Sequence, residues 1–289
     1  MTLENEGRTE DFGGSYYQDV CGEDIVEKFK PLLMSGGYKI RDADGKICVT
    51  SPATGWETPW HHVIHDGFLD CQRWHTILFD LFSRTLPPDR AFVPSACQQC
   101  WKVVVRPQTL LGLFSLMSLQ VKLNRPSKCG IETRPYVHGL YGGYFYNHSL
   151  KQGFECYKLV RGEVDNAPHL GKDTKVVLKR ACTEFEKKLG DSSEWKVSDE
   201  QVYIETLVNK WFVRESVMRK QPPYVISRVH RIWIEWAYAN GDPTYIEFTG
   251  GQPIYKPVVT YHHLADATDE EINEAIEKFG RACNFEYDL

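Results

Sequence analysis

Trp101-Lys-Val-Val-Val105, Lys128-Cys-Gly-Ile-Glu-Thr133 and Thr174-Lys-Val-Val-Leu-Lys179 are the three segments on which the fold turns. Each is short and largely apolar. Val103 to Val105 is β-branched throughout, the pattern of a strand covered on both faces of a parallel sheet. Two helix-like segments separate the three. Leu110 to Leu123 is apolar nearly all round and predicts a buried helix, with Pro107 in its first turn. His148 to Val164 places Leu150, Phe154, Tyr157, Val160 and Val164 on one stripe, with Cys156 at its flank. Strand, helix, strand, helix, strand over residues 91–190 predicts an α/β protein with a central, mostly parallel sheet flanked by helices.

Working outward, residues 1–90 predict a region of arm, hairpin and helices packing on that core. Residues 1–23 are polar and glycine-rich. Asp24 to Leu33 has helical spacing and stops at Gly36-Gly37, and Tyr38 to Asp42 and Lys46 to Thr50 flank Ala43-Asp-Gly45 as a hairpin. Cys71 to Leu86 is amphipathic through Trp74, Leu78, Leu81 and Phe82, and Pro87-Pro88 ends it. Residues 191–289 predict a mainly helical region of the same domain. Ser198 with Gln201 opens a helix to about Lys220, Tyr224 to Tyr238 forms the next, and Thr268 with Glu271 opens the last.

The chain has 289 residues, 42% of them hydrophobic and 25% charged, which fits a folded domain and excludes a fibrous or wholly disordered chain. A net charge of −5 gives no overall attraction for nucleic acid, so none is expected as a partner. No stretch is long and apolar enough for a membrane span, and the first residues carry no secretory signal; the chain reads as cytoplasmic. Its nine cysteines are then expected as thiols rather than disulfides, and their odd number agrees.

A parallel sheet gathers strand beginnings at one edge and strand ends at the other. Cys97, Cys100 and Cys129 fall at the beginning edge, and the helix after 148 returns Cys156 toward it. Four thiolates bind Zn²⁺ or an iron–sulfur cluster, and the long spacings favour a 4Fe–4S cluster over zinc. The other edge collects Arg106, Glu132, Arg134, Lys179, Arg180, Cys182 and Glu184, a set able to hold a small anion and supply a base. Cys182 stands just before Thr183 and Glu186, a capping box whose helix start favours a thiolate or an anion. Val137 to Tyr146 reads as a ligand-facing loop in which Tyr141, Gly142 and Gly143 approach a cofactor.

These residues predict a cytosolic metalloenzyme with a cysteine-ligated centre acting on a small anionic substrate. Two other readings stand beside it. One is a non-catalytic binding or adaptor protein with a structural zinc site of four cysteines. The other is a histidine-metal hydrolase or oxygenase in which a helix brings His61 and His65 onto one face, with Asp66 beside them.

Overall fold

This computed structural model describes residues 9–12, 15–20, 23–50, 59–63, 71–85, 92–215, 221–252, 254 and 267–279. In chain order they form β1 (Thr9–Phe12), β2 (Ser15–Val20), β3 (Glu23–Asp24), α1 (Ile25–Ser35), β4 (Lys39–Ala43), β5 (Lys46–Thr50), β6 (Trp60–Val63), α2 (Cys71–Thr85), α3 (Ser95–Gln98) and β7 (Trp101–Arg106). There follow α4 (Leu110–Leu123), β8 (Ser127–Ile131), β9 (Tyr141–Asn147), α5 (Leu150–Asn166), β10 (Lys175–Arg180), α6 (Thr183–Leu189), α7 (Asp199–Trp211), β11 (Phe212–Glu215), α8 (Pro223–Ala239) and α9 (Asp269–Phe279). The chain divides into two units, Met1–Tyr245 and Ile246–Leu289. In the second, Thr268 and Glu271 cap α9 reciprocally: the Thr268 hydroxyl accepts from Glu271 N, and Glu271 Oε2 accepts from Thr268 N at 2.8 Å.

The central sheet of the first unit runs β10-β7-β9-β8-β6, and every neighbouring pair in it is antiparallel. The expected parallel sheet is therefore corrected, and one element accounts for the change. Tyr141 to Asn147, read as a ligand loop, is the strand β9. It turns back from β8 and inserts between β8 and β7. The order β7-α4-β8-β9-α5-β10 is a split βαβ arrangement, in which β7 and β8 run the same way but never touch.

Glycine makes the insertion possible. A Cβ at Gly143 would stand 2.4 Å from Leu116 Cδ2 of α4, so β9 packs against that helix because its backbone is bare there; one at Gly142 would stand 2.5 Å from Arg106 Nη1, the movable end of a side chain.

Side chains alternate across this sheet. Val103, Val105, Cys129, Ile131, Tyr141, Phe145 and Val176 face α4, α5 and α8 and build one apolar core with Leu113, Leu116, Val160 and Trp233. Trp233 is fully buried and donates its indole N–H to Pro59 O at 2.7 Å, tying α8 to the start of β6.

A second core lies among α1, α2, α7 and the mixed sheet β11-β5-β4. The β4–β5 hairpin forms as its sequence predicts, turning through Asp44 and Gly45 at φ 49° and 72°. The helix predicted to reach Lys220 stops instead at Trp211. Phe212 continues as strand because its ring packs edge-on against Phe29 at 4.9 Å, and Glu215 receives hydrogen bonds from Arg41 and Thr50. Residues 216–220 lie outside the described residues. Among the described helices, none is long and apolar enough to cross a membrane.

Candidate ligand pocket on the open sheet face

The sheet face turned away from α4, α5 and α8 borders a cavity of about 560 Å³. Alternation decides what lines it. On β7 the inward-facing neighbours of the core valines are Lys102, Val104 and Arg106; on β10, Lys175, Val177 and Lys179; on β9, Tyr144 and Tyr146. Lys128 of β8 and His62 of β6, paired across the sheet, complete the floor. Arg134 follows β8. Six cationic side chains line the cavity, and among the described residues no Asp or Glu lines it.

Carboxylates stand behind this lining and orient part of it. Glu132, 6% exposed, accepts from Arg134 Nε and Nη2 at 2.6 Å each and from the Tyr144 hydroxyl at 2.6 Å. Glu184 accepts from Arg134 Nη1 at 2.8 Å. Burial opposes charge on Glu132, yet the hydrogen bonds from Arg134 and Tyr144 outweigh it and hold its carboxyl at about 2. Arg134 is thus a fixed guanidinium, clamped on two sides before any ligand arrives. Burial pushes the Tyr144 hydroxyl up to about 12, with the Glu132 bond adding to it. Lys179 pairs with Glu186, so Glu186 serves a lysine rather than a capping box, and α6 begins at Cys182 with no side-chain cap.

The remaining cations are less compensated. Among the described residues Arg106 Nη1 makes no hydrogen bond and meets Glu132 only at 3.7 Å, with its guanidinium 5.4 Å from the Tyr144 ring centre. Lys128 lies over Trp60 at 4.4 Å and finds no carboxylate within ion-pair distance among the described residues. Burial, and then the like charges of Lys102 and Arg134, lower its pKa to about 8 against the pull of Cys182 and Glu132. Lys102 is 8% exposed. Its ammonium donates to Cys182 Sγ at 2.8 Å and lies 5.6 Å from the Tyr146 ring centre. Burial opposes that charge, but Cys182, Cys100 and Tyr146 together raise its pKa above the usual lysine value.

Sulfur lines the end of the cavity beyond Lys102, where α2, α3 and α6 arrive. Cys71 opens α2, Cys97 lies in α3, Cys100 follows it and Cys182 caps α6. Cys71 Sγ and Cys97 Sγ both approach His75 Nδ1, at 3.1 and 3.0 Å. Burial, with the neighbouring sulfurs, pushes Cys71 up to about 12 and Cys97 higher, so both are thiols at neutral pH. Ala181 holds φ 51°, a left-handed turn that brings the chain from β10 back over the cavity, and its N–H donates to Cys100 O at 2.8 Å. Among the described residues, no three His, Cys, Asp or Glu side chains converge on one metal position.

The predicted site residues separate accordingly. Arg106, Arg134, Lys179 and Cys182 line the cavity, with Glu132 and Glu184 just behind Arg134. Arg180 does not join them. Antiparallel pairing sets it opposite Trp101, where its guanidinium donates to Gln98 O and Ser192 O and lies 6.0 Å from the rings of Trp101 and Trp195.

The quartet Cys97, Cys100, Cys129 and Cys156 is split by the sheet. Cys129 and Cys156 are buried in the helix-side core, while Cys97 and Cys100 line the cavity on the other face. Tyr141, Gly142 and Gly143 belong to the central strand rather than to a loop, and the Tyr141 hydroxyl is held by Asp242 Oδ2 at 2.7 Å.

His61 lies on a strand, not a helix, and faces His230 on the helix side. Burial and then His230 lower it to about 4, so it is neutral. His65 and Asp66 lie outside the described residues. Sequence reasoning missed Lys102, Lys128, Tyr144, Tyr146 and Cys71 as site residues. For the lysines the signal was present, since Lys102 and Arg106, like Lys175 and Lys179, recur at even spacing through an apolar strand.

No protein-family model matches the chain, and no match was found among curated proteins or solved structures.

Proposed function

We propose that this chain is an enzyme for a small, multiply charged anion, phosphate- or carboxylate-bearing, bound over the open face of the β10-β7-β9-β8-β6 sheet. One observation carries the reading: six cations and, among the described residues, no carboxylate line a cavity large enough for a small molecule. Clustered buried cations repel one another and lose hydration, and an anion among them relieves both costs. Arg106 offers a guanidinium Nη1 with no hydrogen-bond partner among the described residues, whereas the Arg134 fork is already filled by Glu132 and Glu184 and serves as a fixed positive wall. Lys128, at about 8, is placed to give up a proton near neutral pH, the property of a general acid. A stacking platform for single-stranded nucleic acid would need open rings, and Tyr144 is only 7% exposed.

Calorimetry of the full chain with inorganic phosphate, sulfate, a tricarboxylate and a nucleoside monophosphate tests this. At least one should bind, more weakly as salt is added, and Lys128→Met should weaken it by about tenfold. Affinity should fall as pH rises through about 8, where Lys128 loses its charge; below that pH its charge is present in full. Binding should also take up a proton near that pH, seen as a dependence of the heat on buffer ionisation. Failure of every anion to bind removes the reading. Binding without chemical change of the ligand reduces it to a binding protein.

A further inference from the structure

We propose that Cys182 is the nucleophile of the anion site and that the anion it attacks is a phosphate monoester, whose phosphoryl group passes through the cysteine sulfur to water. This rests on the anion reading above and adds the covalent step to it. Cys182 follows Ala181, whose left-handed turn at φ 51° swings the chain over the cavity and is pinned by its N–H on Cys100 O at 2.8 Å. A residue other than glycine is strained there, and such strain collects where a reactive group must be presented. Although Cys182 is the first residue ahead of α6, its side chain makes no cap hydrogen bond to that helix. The sulfur is turned instead to Lys102 Nζ, 2.8 Å away.

Lys102 identifies what that sulfur does. The lysine is 8% exposed; among the described residues Cys182 Sγ is its one hydrogen-bond partner, and no carboxylate lies within ion-pair distance. A buried ammonium persists where an anion compensates it. The group in place to do so is the Cys182 thiolate, which is the nucleophilic form of cysteine. The other sulfurs of this wall differ. Cys71 and Cys97 share a histidine nitrogen, and burial pushes them and Cys100 up, so these three are thiols.

A phosphoryl group suits the surroundings. Its oxygens repel a thiolate, so attack requires cations upon them. Arg106 Nη1, buried and without a hydrogen-bond partner among the described residues, and Lys128, without a carboxylate among them, line the same cavity. A free carboxylate would bind the same cations but offers no leaving group. Sγ attacks phosphorus, the S–P bond forms as the P–O bond to the leaving group breaks, and the leaving oxygen takes a proton from the Lys128 ammonium. Water then attacks the phosphocysteine, the S–P electron pair returns to sulfur, and the water's proton goes to the Lys128 amine. Ester and water become alcohol and inorganic phosphate.

The full chain is treated with iodoacetate and with iodoacetamide, and the labelled residue is located by mass spectrometry. Cys182 should be labelled first, the anionic reagent reacting about tenfold faster than the neutral one, with the gap closing as salt is added. Inorganic phosphate should protect it, and Lys102→Met should slow the labelling by about tenfold. p-Nitrophenyl phosphate should be hydrolysed, with phosphorylated Cys182 trapped by rapid alkaline denaturation. Cys182→Ala should lower turnover by about a hundredfold or more yet bind phosphate as the wild type does, which also shows that the variant folds. First labelling elsewhere, hydrolysis that survives Cys182→Ala, or no hydrolysis by protein that binds phosphate overturns the proposal. Binding of the tricarboxylate alone leaves the anion site standing and overturns the phosphate monoester, whereas absence of all anion binding removes the reading beneath it.

Discussion

The two faces of the five-stranded sheet are made from the same strands and have opposite chemistry. Val103 and Val105 pack into a closed apolar core, and Lys102 and Arg106 beside them line a cavity. On β8, Cys129 is buried against the helices and Lys128 lies on the other side. The difference shows that composition alone does not separate structure from function here. Position along a strand, odd or even, does so.

The comparison breaks most readily on the helix side. Phe145→Ala removes a fully buried ring and should cost about 3–5 kcal/mol, read as a fall in denaturant midpoint. A cost near zero would mean that this face is not the main core.

Behind the cavity, Glu132→Gln should cost about 3 kcal/mol at neutral pH. The sign follows from the depressed carboxyl. Its contribution is present in full above the ordinary carboxylate value of 4.5 and is lost as pH falls toward about 2. Acid unfolding of the wild type should therefore be steeper than that of the variant across this range.

Paired glycines sharpen the contrast. A Cβ at Gly130 would meet Pro59 O at 2.0 Å, a backbone atom that cannot step aside, so Gly130→Ala should cost about 2 kcal/mol. Gly142→Ala meets the end of Arg106, a movable guanidinium, and should cost under about 1 kcal/mol. The two glycines are cross-strand partners on one face of the sheet, so equal costs would show that the Arg106 guanidinium is held as firmly there as the Pro59 backbone.

One small effect has the opposite sign. Lys128→Met should stabilise the protein by about 1 kcal/mol, since it removes a charge that the fold does not pair. That gain is complete below about 8 and fades as pH rises from there toward 10.5, because the wild-type lysine then folds neutral. Thermal unfolding at two pH values on either side of 8 checks it.

Much of the architecture was legible in the residues. The strands β7, β8 and β10, the helix α4 and the β4–β5 hairpin all announce themselves by β-branched runs, apolar helical spacing and an Asp-Gly turn. The direction of the sheet was not legible. It depended on Tyr141-Gly-Gly-Tyr144, where two glycines imitate a loop, and their purpose appears only once Leu116 and Arg106 are known to press on them.

With that strand unread, residues were grouped by strand end instead of by face. Arg180 was placed with Arg134, and Cys129 with Cys97, although Cys71 and Cys182 are the sulfurs near Cys97. Arg106, Arg134, Lys179 and Cys182 were nevertheless chosen, because strand-terminal cations and a cysteine before a helix carry their signal locally.

The strand β10 stands at one edge of the five-stranded sheet and, among the described residues, pairs with no strand on its far side. Lys175 and Lys179 on it also act as gatekeepers against strand addition by a second chain. Replacing both with apolar residues to empty the cavity of charge would therefore invite self-association, and light scattering should accompany any such variant.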